Sequence, residues 1–452
     1  MQPEPGDGLP LTGRAAEEVI CHRGGEAVTV GRFLAEAASL AALLPQDGPA
    51  VNACADRYLA LLGFAGALLR GHATLLGAGR GGTPGFRRMA AERHPGAYVL
   101  ADAALPDAAL PVVRLDRMAL PASGLPAAPP RIPAGRVVAI AFTSGSTGTP
   151  TAHPKPWGAL VAGAEAAAER FGLRACDGPP TGIVATVPPQ HMYGFETTMM
   201  LPLHAAVAVH AGASFFPSDV LAALAGQPAR RLLVTTPLHL RALLAEGRRP
   251  PPLSAVISAT APLSAGIAEA VERDWGTPML EIYGATEAGS MASRRTLRDA
   301  AWTPYRGVEI RPGIAVVPGL GQVPLADAIE PAGDGRFRLL GRLADLVKLG
   351  GKRASLADLN RTLAEVEGVV DGVFVAPEDI ESNPAARLAA YVVAPGCSAA
   401  EVLGGLRGRL DPVFLPRRIT MLPALPRDAL GKLSRQALAM LAQNTPAKHE
   451  SA

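Results

Sequence analysis

Four apolar runs in the middle of the chain, residues 182–187, 231–235, 255–258 and 279–283, each stop at a small polar turn bearing Pro or Gly. The turns read Pro188-Pro-Gln-His-Met-Tyr-Gly194, Thr236-Pro237, Ala259-Thr-Ala-Pro262 and Gly284-Ala-Thr-Glu287-Ala-Gly289. Apolar runs of this length read as buried strands, and the stretches 160–170, before them, and 220–224 and 263–273, between them, read as helices. Strands alternating with helices argue for a layered α/β domain. In such a sheet the loops at the carboxyl edge line a cleft where ligands bind.

The same alternation begins near the start of the chain. Apolar residues Phe33, Leu34, Ala37, Leu40 and Leu43 recur at helical spacing within 28–44. Strands are expected over 50–54, 73–76, 97–101 and 112–115, a helix over 56–70, a glycine-rich turn over 77–82 and a surface connector over 121–133. A further strand over 137–141 leads into Phe142-Thr-Ser-Gly-Ser-Thr-Gly-Thr-Pro150. That stretch offers backbone N–H groups and hydroxyls without bulky side chains, which suits a phosphate cradle. No Gly-Lys-Ser/Thr closes it, so it is not a Walker loop. Taken alone, such clusters are usually plain turns.

After residue 310 the pattern changes. Short strands joined by glycines fill 310–323, another covers 337–340, and 341–353 reads as a polar loop with little core. Helices over 356–366 and 399–410 and strands over 369–376 and 388–393 then form an α+β unit of about a hundred residues, an ordinary small-domain size. The expected division is a large domain over 1–341, a small lid domain over 342–441 and a disordered tail over 442–452.

A chain of 452 residues is too long for one ordinary core. The formal net charge of +3 and the lack of a long basic run argue against nucleic-acid binding. Cys21, Cys54, Cys176 and Cys397 lie far apart, with no zinc-like spacing, and read as reduced thiols of a cytoplasmic protein. No basic, then apolar, leader opens the sequence. The uncharged stretch 197–218 is broken by Pro202, His204, His210 and Pro217, so it reads as a buried helix and a strand instead of a membrane span.

With these residues in view, the chain resembles the adenylate-forming superfamily of acyl- and aryl-CoA synthetases, luciferases and peptide-synthetase adenylation domains. Thr143-Ser-Gly-Ser-Thr-Gly-Thr-Pro150 is similar to its phosphate loop, Gln190-His-Met-Tyr-Gly194 to its acid-pocket motif and Ser258-Ala-Thr-Ala-Pro262 to its adenine-flanking turn. Tyr283-Gly-Ala-Thr-Glu287 resembles its Tyr-Gly-x-Thr-Glu motif. Asp327 sits where its ribose-binding Asp falls, Gly341-Arg342 and Lys348 resemble its hinge, and Gly431-Lys432 its C-terminal lysine motif.

The resemblance implies a large multi-subdomain α/β domain with layered sheets and a small mobile α+β domain. It implies an ATP- and Mg²⁺-dependent ligase that adenylates a carboxylic acid, releases pyrophosphate and passes the acyl group to the thiol of CoA or of a phosphopantetheinyl acyl carrier protein. Carried over residue by residue, Thr143, Ser144, Gly145, Ser146, Thr147 and Gly148 hold the phosphates. Thr260, Ala261 and Pro262 flank the adenine, Tyr283 and Gly284 bear on it from the other side, and Asp327 and Arg342 hold the ribose. Glu287 is the Mg²⁺ ligand, Thr286 donates to the α-phosphate, and Lys432 is the catalytic cation. His191, Tyr193, Gly194, Thr235, Thr236, Ala259 and Ala285 line the acid pocket, with His191 also counted as catalytic, and Gly350 and Gly351 line the thiol channel.

Read from its turn alone, His191 is a turn-capping histidine. Thr151 stands where many family members have Lys, with Lys155 four residues on as a substitute, and Ala344 departs from the hinge pattern. The bulky pocket residues point to a small, aromatic acid, and Pro150-Thr-Ala-His-Pro-Lys-Pro-Trp157 looks similar to ligases of aryl-polyene-type pigment pathways. A short- or medium-chain acyl-CoA ligase, a lone amino-acid adenylation domain and a degenerate, non-catalytic AMP- or acyl-binding homologue are the alternatives.

Overall fold

The helix Arg57–Arg70 begins where Asp56 accepts a hydrogen bond from the Leu59 N–H and ends at Gly71, whose φ of 106° favours glycine. Every residue from Arg57 to Leu68 is buried. A helix without a polar face belongs inside a protein, and here it lies between two sheets. The computed structural model describes residues 8–77, 83–121, 128–143, 150–174, 178–377, 380, 383, 386–427, 433, 437 and 440.

The first sheet runs in the order Thr151–Pro156, Val137–Thr143, Thr74–Leu76, Ala50–Asn52, Tyr98–Ala101, Val112–Arg114. It is parallel except for its first pair. The second has nine strands among the described residues, with a parallel centre formed by Met279–Ala285, Ala255–Ser258, Arg231–Thr235, Thr181–Ala185, Val207–His210 and Val19–Arg23. Helices Val30–Leu43, Arg57–Arg70 and Trp157–Arg170 fill the space between the sheets, sharing one core with Cys21, Val209, Tyr98 and Ala139. Helices Pro217–Ala225, Pro237–Ala245 and Ala265–Trp275 cover the far face of the second sheet through Leu224, Leu240 and Val271. Helix Pro84–Arg93 covers the far face of the first. The layered α/β reading therefore holds, as five layers.

Registers Ala185↔Val234, Thr235↔Ser258 and Ser258↔Glu281 level the parallel strands, so the four turns open at one sheet edge. Smaller sheets follow, Glu309–Arg311 with Ile314–Val317 and Gly321–Pro324, then the hairpin Asp327–Gly333/Arg336–Arg342. Their apolar residues gather around Tyr283, Trp302 and Phe337. Beyond Arg342 another core, including Val347, Leu363, Phe374, Val392 and Leu406, is built wholly from later residues.

Four local expectations need correction. The polar loop expected over 341–353 is a hairpin, Leu346–Leu349 with Lys352–Ser355, and Val347 and Leu349 are 3% and 5% exposed. Lys348 and the two glycines broke its apolar pattern. The turn ending at Gly194 is already helical from Met192, because His191 caps it. Pro237, expected only to end a strand, opens the helix Pro237–Ala245, where its missing N–H costs nothing. The stretch after residue 410, read from its prolines as irregular, contains the strand Arg418–Met421, parallel to Ala389–Val393. The expected disordered tail, 442–452, lies outside the described residues.

Candidate active site

Three of the expected nucleotide-site residues come together through a hairpin. Asp327 and Arg342 are directly paired across the strands Asp327–Gly333 and Arg336–Arg342. The Tyr283 hydroxyl donates to Asp327 Oδ2 at 2.8 Å. The Tyr283 ring is held by Trp302 and Phe337, with centroids 5.8 and 5.6 Å away. Burial pushes the Asp327 carboxyl above its ordinary value, while the Tyr283 bond and the Arg342 charge pull it back. Gly284 follows because the hairpin bulges there: a Cβ would lie 2.6 Å from the Gly289 oxygen.

Across the sheet edge stands the turn 259–262. Thr260 has φ of +78°, a conformation that a β-branched residue holds only under constraint. Its Oγ1 is buried and has no partner. The turn's exit is fixed by Glu281, which accepts from the Leu263 N–H at 3.2 Å and pairs with Arg294 at 2.7 Å. Ala261 and Pro262 complete this turn. Glu281 and Arg294 were not legible as site residues, because strand-borne charges look like ordinary surface.

Thr143 closes the strand Val137–Thr143, and its Oγ1 lies 2.9 Å from His153 Nε2 on the antiparallel neighbour strand. Burial lowers the His153 pKa, against the pull of Glu287. Ser144, Gly145, Ser146, Thr147 and Gly148 lie outside the described residues, as do Gly431 and Lys432.

Thr286 and Glu287 form the half-buried turn between Met279–Ala285 and Gly289–Arg295, with Ala285 at its start. The Glu287 main-chain oxygen accepts from Lys155 Nζ at 2.7 Å. Lys155 is 1% exposed, and burial pulls its ammonium down to about 8 although Glu196 and Glu287 act the other way. Its ammonium therefore serves the Glu287 turn from inside the protein. The signal available in the sequence was the period-two column Thr151, His153, Lys155 on one strand.

The expected acid-pocket residues divide. His191 is the cap of the helix Met192–Phe195, its Nδ1 accepting from the Tyr193 N–H at 3.3 Å, which is the turn-cap reading. The Tyr193 hydroxyl donates to the Ile257 oxygen at 3.0 Å and is buried against the sheet. Thr235 bonds Thr186 at 2.9 Å, and Thr236 caps the next helix and lies 2.9 Å from His239 Nδ1. These three hydroxyls are committed to the frame. Gly194 sits where a Cβ would lie 2.0 Å from the Pro188 oxygen, so it allows close approach of helix and turn. Ala259 lies at the carboxyl edge, 8% exposed. Gly350 and Gly351 make the turn of the hairpin Leu346–Leu349/Lys352–Ser355, with φ of +54° and +78°.

A family model described as AMP-binding enzyme matches residues 16–316. The 4-coumarate–CoA ligase of Rhodobacter capsulatus is 32% identical over 301 residues, which make up 65% of this chain and 74% of that protein. ATP-bound MatB from Rhodopseudomonas palustris superposes with a TM-score of 0.79 at 19% identity, over 96% of this chain and 98% of that one. O-succinylbenzoate coenzyme A synthetase from Bacillus subtilis, in complex with ATP and magnesium ion, gives 0.79 at 18% identity over 94% and 97%. At such identities the structural likeness speaks for the fold, a large amino-terminal part followed by a small carboxyl-terminal one.

Proposed function

The chain belongs to the AMP-binding enzyme family, and from that premise we propose that it is an ATP-dependent acid–thiol ligase acting on a small aromatic carboxylic acid. The observation that carries this reading is the Tyr283–Asp327 hydrogen bond with Arg342 opposite, beside the strained Thr260 turn. An aromatic wall, a strained turn and a carboxylate beside a cation are the elements that hold adenine and a ribose diol. The relative named as a 4-coumarate–CoA ligase supports the aromatic acid. The boundary between adenylating and lid domains is assigned to Arg342, after which the second core begins.

In the first step an oxygen of the acid's carboxylate attacks the α-phosphorus of ATP, and pyrophosphate leaves. Both reactants are anions, so aimed donors must offset their repulsion. Thr143 and residues Ser144–Gly148 hold the β- and γ-phosphates, Thr286 donates to the α-phosphate, and Lys432 follows the charge as it shifts. Among the described residues no group of three or more His, Cys, Asp or Glu gathers as a metal site. One carboxylate, Glu287, is what Mg²⁺ needs when the phosphates supply its other oxygens. When bound, Mg²⁺ neutralises phosphate charge. In the second step the pantetheine thiolate attacks the acyl carbonyl and AMP leaves, with Gly350 and Gly351 beside the thiol's path. The thiol is that of CoA or of an acyl carrier protein. Among the described residues no helix is long and apolar enough to cross a membrane.

The test is pyrophosphate release from ATP and Mg²⁺ across benzoates, cinnamates, short fatty acids and amino acids, with Lys432→Ala in parallel. Acid-dependent release with an aromatic acid, reduced by about 10²–10³ in the variant, is expected. Release only with fatty or amino acids overturns the substrate class. No release with any acid, while AMP still binds, overturns the ligase in favour of a binding-only homologue. Adding CoA or a pantetheinylated carrier protein to the preformed adenylate identifies the acceptor.

A further inference from the structure

A buried ammonium and a half-buried carboxylate hold the Thr286–Glu287 turn at its two ends. Lys155, on the strand Thr151–Pro156, donates to the Glu287 oxygen at 2.7 Å. Glu196, where the helix begun at Met192 widens into the π-helical turn Glu196–Met200, accepts from the Ser290 N–H at 2.9 Å and from Ser290 Oγ at 2.5 Å. Between the two anchor points Gly289 has φ of +81°, and a Cβ there would lie 2.5 Å from Glu196 Oε1. The carboxylate therefore presses directly on the backbone of the turn. π-turns of this kind are retained most often at functional sites.

Taking an ion out of water costs several kcal/mol before its partners repay it. The chain does this with Lys155 and sets the half-buried Glu196 close by. Lys155 and Glu196 border the same cavity of about 30 Å³, together with Ser290, Tyr305 and Arg306. Its volume suits about two water molecules, not a substrate ring. The Tyr305 hydroxyl is buried without a partner. Of the polar groups here, Lys155 and Glu196 bond the turn, whereas Arg306 pairs with Glu169.

We propose that Lys155 is a positioning residue: by holding the Glu287 carbonyl while Glu196 holds Ser290, it fixes the direction in which Thr286 and Glu287 meet the metal-bound triphosphate. The proposal rests on the nucleotide-site reading above. The competing account is that Lys155 merely neutralises Glu196 in the interior, and the two differ in what happens when both charges are removed.

The experiment is calorimetric binding of AMP, of metal-free ATP and of MgATP to the full chain, for wild type, Lys155→Met, Glu196→Gln and the double variant. Positioning predicts that Lys155→Met loses at least tenfold in MgATP affinity and less in AMP affinity, since AMP meets Thr286 but not the metal held by Glu287, and that the double variant is equally weak for MgATP. MgATP affinity restored in the double variant assigns Lys155 to charge balance alone and overturns the proposal, as does an unaltered Lys155→Met. Should Lys155→Met fail to fold, the double variant, which buries no unpaired charge, carries the same comparison. Wild type that binds neither AMP nor MgATP overturns the nucleotide site and this proposal with it. Wild type that binds MgATP yet activates no acid overturns the ligase alone.

Discussion

The hydroxyl of Tyr283 and the carboxylate of Asp327 meet at 2.8 Å, although they come from different sheets and are 44 positions apart in sequence. The bond fixes one oxygen of the carboxylate at the edge of the aromatic cluster and leaves its other lone pairs for a diol. Replacing Asp327 by Ala is expected to weaken AMP binding by about 10–100-fold, the usual worth of hydrogen bonds to a charged group. Tyr283→Phe keeps the ring and is expected to lose less. Calorimetry with AMP measures both, and equal affinities in all three proteins contradict the ribose assignment.

The same pair sets a pH dependence. Burial raises the Asp327 pKa above the ordinary 3.8, so its carboxylate takes a proton earlier as pH falls. AMP affinity is expected to decline with a midpoint above 3.8, and Asp327→Asn is expected to remove that decline. A wild-type profile flat down to pH about 4 counts against the ionised Asp327 as the diol acceptor.

Thr260 stores backbone strain in its turn, with φ of +78°. A β-branched residue held there costs about 1–3 kcal/mol, of which glycine's chain entropy takes back about 0.5–1. Thr260→Gly is expected to raise stability by about 1 kcal/mol while weakening AMP binding as the turn loosens. Thr260→Ser keeps a Cβ and the hydroxyl, so it keeps most of the strain and gives no such gain. Urea denaturation read beside AMP calorimetry checks the opposed directions.

Tyr193 supplies its hydroxyl to the Ile257 oxygen. Tyr193→Phe leaves that buried carbonyl short of a donor and is expected to cost about 1–3 kcal/mol of stability. The order of preference among acids is expected to stay as it is. A changed acid preference with stability intact would return Tyr193 to the pocket.

His204 stacks against Trp157 with ring centroids 5.4 Å apart, and its Nε2 is buried without a partner. Burial lowers its pKa from 6.5 to about 4, so the unfolded chain binds the proton first as the solution is acidified. The stability tied to the neutral ring is complete above pH 6.5 and is lost progressively down to about 4. At ~1.4 kcal/mol per pH unit the loss reaches at most about 3.5 kcal/mol. His204→Phe is expected to flatten this part of the stability curve, as urea midpoints at pH 7.5 and 5 would show.

Much of the framework was legible because it is periodic. The strands over 231–235 and 255–258 have the bounds read from their apolar runs, and the helix foreseen over 56–70 starts beside its Asp56 cap. The hairpin around Gly350-Gly351 was hidden because a solvent-facing Lys and two turn glycines interrupt its short apolar pattern. Motif order marked Tyr283, Asp327 and Arg342 as one site, and the hairpin register brings them together.

By itself the sequence determined what depends on neighbours along the chain: the long periodic helices, the apolar strands of the central sheet, and the loops that end those strands at a common edge. Tertiary structure alone decided how each polar group is spent. Tyr193, Thr235 and Thr236 look like pocket residues in sequence, yet their partners Ile257, Thr186 and His239 claim the hydroxyls. Lys155 stood out in sequence only as a substitute for a missing phosphate-loop Lys, yet it and Glu196 meet the Glu287 turn across 132 and 94 positions. A hydrogen bond or a buried charge is settled by whichever group folding brings within about 3 Å, and no local pattern records that choice.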